Sequence, residues 1–182
     1  MNIVTIQADS EIVKHCQEFL RYTNIGKRGD FDGNKRNQLI GLIGQLHAEK
    51  WLKGSYKELL DGFDGGIDFN YCGNSVDVKT MERKGNVRPS YVNNLLECQM
   101  IYNCDIILFT SVNSLEKTIE ICGWIYKDEI KDVGNYYEKG SIRNRLDGSS
   151  FELQANLYEI PMVRLKDVYD LKNMVGKQLA FL

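Results

Sequence analysis

The sequence predicts an α/β fold. Two observations carry this. Two stretches have apolar residues at helical spacing or around most of a helical wheel, at residues 10–22 and 37–53. After them lie stretches of strand character, at residues 67–80, 105–111 and 118–126.

Residues 1–8 read as a short strand. Ser10 is placed to cap a helix to about residue 22, with Ile12, Val13, Cys16, Phe19 and Leu20 on its packing face. Residues 24–37 are polar, glycine-rich and basic. Lys27, Arg28, Lys35 and Arg36 are candidate phosphate contacts there, although an exposed loop is the plainer reading. In the helix over residues 37–53, Leu39, Ile40, Leu42, Ile43, Leu46, Trp51 and Leu52 cover most of the circumference, so it is expected to be buried. Gln45 and Glu49 stack one turn apart on it. Glu49 is flanked by Leu42 and Leu52, where a carboxylate needs a partner or a metal. Gly41 and Gly44 weaken this helix and make sense only if another group approaches closely.

Residues 67–80 read as a β-hairpin with Gly73-Asn74 as its turn. That register sets Asp68 opposite Lys79 and Asn70 opposite Asp77, all on one face. Ile67, Phe69, Tyr71, Val76 and Val78 take the other face. A solvated cross-strand ion pair would account for the charges. The chemical alternative is a pair of hard oxygen ligands suited to Mg²⁺ with a lysine beside them. A basic loop with Arg83, Lys84 and Arg88 follows. Residues 90–102 read as a helix. Residues 105–111 read as a fully buried strand, residues 118–126 as another strand, residues 127–150 as loops, and residues 151–160 as an edge strand. A closing helix is expected over residues 165–175.

Composition narrows the chemistry. The chain has 182 residues, enough for a single domain over residues 1–182 with a substantial core. A formal charge of −2 gives no global footprint for nucleic acid, though a local basic strip would suffice. There are only two histidines, His15 and His47, both in predicted helices among apolar residues. Histidine-rich metal sites are thereby excluded, and a Cys98 or Cys122 nucleophile has no base placed by sequence to serve it. The five cysteines form no CxxC pair and predict free thiols. With no long apolar run and no signal pattern, the chain is expected to be soluble and cytoplasmic, with no membrane partner.

The GGIDF stretch around Asp68, the run Asp77-Val78-Lys79 and the preceding IGQLHAEKWL helix resemble the PD-(D/E)xK nuclease superfamily. The similarity in element order spans residues 37–126. It implies a restriction-endonuclease-like core, a central mixed β-sheet flanked by helices. It implies Mg²⁺, with Mn²⁺ as a substitute, and Mg²⁺-dependent hydrolysis of DNA, with an endonuclease as the expected mode. Carried over by position, Asp68 and Asp77 are metal ligands with the Val78 carbonyl, and Lys79 is the catalytic lysine. Glu49 completes the metal shell and Gln45 holds a water. Gln45 stands where many relatives have a glutamate, and Ile67 where they have a proline. The resemblance leaves a homodimer open. A non-catalytic DNA-binding or protein-interaction module on the same fold is the alternative.

Overall fold

A computed structural model of the chain describes residues 2–25, 33–60, 65–144 and 148–179, with side chains in the last helix described to residue 174. The proposed phosphate contacts Lys27 and Arg28 lie outside these residues. The class is α/β. The elements in order are β1 (Val4–Gln7), α1 (Ser10–Tyr22), α2 (Lys35–Lys53), β2 (Phe69–Tyr71), β3 (Asn74–Arg83), β4 (Val92–Leu96), β5 (Ile106–Asn113) and β6 (Thr118–Tyr126). They continue with α3 (Ile130–Val133), β7 (Asn135–Tyr137), β8 (Ile142–Asn144), β9 (Ser150–Glu152), β10 (Leu157–Pro161) and α4 (Val168–Leu179).

The central sheet has five strands in the order β1-β6-β5-β3-β2. It is mixed: β3 and β5 run parallel, the other neighbours antiparallel. β5 is buried at every position, its polar Thr110, Ser111 and Asn113 included. One face of the sheet packs against Ala48 and Leu52 of α2 and Val168 and Leu171 of α4. Ile12, Cys16 and Leu20 of α1 pack on α2 and on Val112 and Ile119 at the far end of that face. The other face is covered by a second sheet, β4-β10-β7, through Leu95, Tyr158 and Ile160. The long helices therefore flank one face and not both.

Residues 90–102 are not a helix. They form β4 and a 3-10 turn, Glu97–Ile101. β4 alternates half-buried and buried residues, with Asn93 and Leu95 inward, and pairs with β10. The pairing partner lies more than sixty residues away, which no local periodicity reveals. Residues 127–150, expected as loops, contain α3, β7 and β8. The cap of α1 is Asp9 rather than Ser10: its side chain accepts from Glu11 N at 2.8 Å.

Candidate active site

The hairpin forms, with a different turn. Tyr71 pairs with Asn74, Asn70 with Ser75 and Phe69 with Val76, so Cys72 and Gly73 are the loop. Both are left-handed, with φ of 50° and 82°. This is the type I′ requirement, whose conformation matches the twist of the strands. Asn74 is thereby released into β3. Moving the turn by one residue moves the pairing by two. Asn70 no longer faces Asp77, and Asp68 no longer faces Lys79. A two-residue step keeps the faces of β3 unchanged.

Those faces are well marked. Val76 and Val78 pack with Ala48 and Leu52 of α2. Thr80 lies directly beneath Gly44, where an added Cβ would come within 2.2 Å of its hydroxyl. Asp77 and Lys79 alternate with these residues and project from the opposite face. There Lys79 Nζ lies 2.7 Å from Asp77 Oδ2, with the two side chains 16% and 5% exposed respectively. Cys104, packed on that face beside Ile107, senses both charges. Burial pushes its thiol up to about 11 and Asp77 adds to the rise, while Lys127 and Lys79 oppose it.

Asp68 sits at a break in the strand. Ile67 packs with the cluster of Ile107 and Phe109, whereas Phe69 packs with that of Val76 and Val78. In a regular strand residues two apart share a face, so the expected grouping of Ile67 with Phe69 fails at Asp68. Asp68 N donates to Val76 O at 2.9 Å. Its Oδ2 accepts from Val78 N at 2.6 Å, in the position a strand carbonyl would otherwise take. A strand residue's N–H and C=O point to the same edge, so the Val78 carbonyl faces the edge Asp68 occupies. Asp68 is thus fixed to the amide of Val78, the residue between Asp77 and Lys79 on β3.

Glu49 does not join the two aspartates. α2 lies on the Val78 face, across the sheet from Asp77 and Lys79. Glu49 is 1% exposed, and its need for a partner is met locally. Lys53 Nζ donates to Oε1 at 2.9 Å and Lys57 N to Oε2 at 3.1 Å. Gln45 is half-buried one turn earlier on the same helix. Of the basic candidates, Lys35 donates to Leu20 O and Thr23 O, and Arg36 pairs with Glu82. Arg83 donates to Val92 O at 2.7 Å and stacks over Tyr91, serving to hold a loop.

Three buried charged groups were missed by reading the sequence: Glu159, paired with Arg143, Glu120 and Lys127. Glu120 takes Val87 N on both carboxylate oxygens at 3.0 Å, and burial raises its pKa against that bond and Arg83. Its signal was a lone carboxylate within the apolar run of β6. Lys127 is 8% exposed, and its ammonium donates to Gln99 O and Tyr102 O. Nothing in the sequence marks its acceptors, which are backbone carbonyls of a distant segment.

Comparison of the chain with protein-family profiles, with curated proteins and with solved structures finds no match. Among the described residues no three His, Cys, Asp or Glu side chains gather as a metal cluster. The oxygens of Asp68, Asp77 and Val78 nonetheless match the donor chemistry of Mg²⁺. Two carboxylates and a carbonyl are hard ligands, and Mg²⁺ commonly takes one or two protein carboxylates, with water and phosphate oxygens for the rest.

Proposed function

We propose that this chain is a metal-dependent nuclease that hydrolyses DNA phosphodiester bonds as an endonuclease, on a restriction-endonuclease-like fold. The observation that carries the proposal is the Asp77–Lys79 pair at 2.7 Å with the Asp68 carboxylate on the intervening amide, that of Val78. Asp68, Asp77 and the Val78 carbonyl would hold Mg²⁺ or Mn²⁺. When bound, the metal supplies polarisation of a phosphate oxygen and a water of lowered pKa. Lys79 places positive charge beside the reacting phosphate and stabilises the charge that grows on it. Asp77 holds the ammonium of Lys79 in place. Asp68 fixes the Val78 amide, and with it the carbonyl at that edge.

The test is incubation of the protein with supercoiled, linear and branched DNA, with and without Mn²⁺. Nicking that needs the metal and disappears in Lys79→Ala supports the reading. No cleavage of any form under any metal would overturn it. The enclosure of Asp77 and the pairing of Glu49 with Lys53 favour a second reading, a DNA-binding or protein-interaction module whose carboxylates are structural. Retained DNA binding without cleavage would identify that case. Thiol chemistry is disfavoured at Cys122, which is fully buried and pushed up to about 12 by that burial.

A further inference from the structure

Asp77 and Lys79 are covered, at 5% and 16% exposure, and a DNA phosphodiester cannot reach a carboxylate so enclosed. Cys104 packs on the face from which they project, and it ends the segment 97–104 that links β4 to β5. The segment begins with the 3-10 turn Glu97–Ile101, none of whose residues is buried. A lone 3-10 turn has little stability of its own, so its neighbours must hold it.

Two contacts do so. Lys127 Nζ donates to Gln99 O at 3.2 Å and also to Tyr102 O. Tyr102 packs on Gly66, where an added Cβ would lie 2.7 Å from the tyrosine Cβ and where φ is +79°. The far end is rigid. Asp105 Oδ2 accepts from Ser75 N at 2.7 Å and Ser75 Oγ at 2.6 Å, and Asp105 O accepts from Lys127 N at 2.9 Å. Cys104, the last residue of the segment, is 8% exposed and packs on the face from which Asp77 and Lys79 project.

We propose that residues 97–104 are a strap that closes over the Asp77–Lys79 pair, with Lys127 as its latch. Access to the pair requires Lys127 to release the carbonyls of Gln99 and Tyr102. The gating stands on these contacts; its consequence for cleavage rests on the nuclease reading above. Opening exposes few fully buried apolar groups: Met100 is only partly buried against the core, and the 3-10 turn has no buried residue. It is therefore a local event of the kind that precedes global unfolding.

The test is maleimide labelling of the full chain at one pH, read cysteine by cysteine by peptide mass spectrometry. Lys127→Met removes the donors and keeps the stem; Tyr102→Ala removes the packing on Gly66. Cys104 should label about tenfold faster in each, the effect of losing one charge-assisted hydrogen bond or a comparable contact. Cys16 and Cys122, both 0% exposed, should keep their wild-type rates. Loss of Lys127 also removes a charge that lowers the Cys104 pKa, so electrostatics alone would slow labelling rather than speed it. An unchanged Cys104 rate in both variants, or an equal rise at Cys16 and Cys122 in both, would overturn the strap. Nicking with Mn²⁺ on the same variants separates the two proposals. Faster labelling with faster nicking supports both, whereas faster labelling with no nicking by any variant keeps the strap and overturns the nuclease.

Discussion

Lys79 Nζ and Asp77 Oδ2 lie 2.7 Å apart, two residues apart on one strand and largely buried. Such a pair is worth little against an apolar replacement, but removing one partner strands the other charge in a poor solvent. Lys79→Met alone should cost about 3 kcal/mol. The double variant with Asp77→Asn should cost less than the two singles added, by at least about 1 kcal/mol. Urea unfolding of the four proteins measures this, and strict additivity would remove the pair as a structural unit.

Metal response and cleavage should part company. Lys79→Ala, assayed where it remains folded, should keep the rise in melting temperature that Mn²⁺ gives the wild type. Its nicking should fall by about a hundredfold or more, the cost of losing one preorganised charge at a reacting centre. Asp77→Asn should lose both, since a hard oxygen ligand is gone. Undiminished Mn²⁺ stabilisation of Asp77→Asn would remove Asp77 from the metal site.

The two glycines of α2 should behave oppositely. At Gly44 an added Cβ would meet the Thr80 and Thr110 hydroxyls at 2.2 and 2.6 Å, with β3 and β5 behind them. Gly44→Ala should therefore destabilise by about 1–3 kcal/mol even after the gain in helix propensity. Gly41 has nothing within 4 Å of the same atom, and Gly41→Ala should stabilise by up to about 1 kcal/mol. Thermal melts of the two variants suffice.

His47 should give the fold a slope with pH. Its ring is 2% exposed; Nε2 accepts from Asp9 N at 2.8 Å and Nδ1 donates to Ile43 O at 2.7 Å. That arrangement needs the neutral ring, and burial lowers the pKa below the ordinary 6.5. The unfolded chain then binds the proton first as pH falls. The stability is present in full above 6.5 and is lost as pH falls toward the lowered folded value. His47→Gln should cost about 1 kcal/mol at neutral pH and flatten the decline below it. Melting temperatures across that range, wild type against variant, show whether the slope belongs to His47.

Where neighbours along the chain decide the outcome, the sequence was enough. The helical spacing of Ile12, Cys16 and Leu20 marked α1, the apolar start of β5 marked a buried strand, and β6 is bounded at Thr118 and Tyr126 as expected. Alternation along β3 was likewise enough to put Asp77 and Lys79 on one face. The rest depended on partners distant in sequence. β4 is a strand because β10 offers it an edge, although its residues allow a helical reading. The faces of Ile67 and Phe69 part because the Asp68 carboxylate takes the Val78 amide. Glu49 is satisfied on its own side of the sheet by Lys53 and by the amide of Lys57. Periodicity specifies which side of an element is apolar. Which group then satisfies a given polar atom is a matter of distances between elements, and those exist only once the chain has folded.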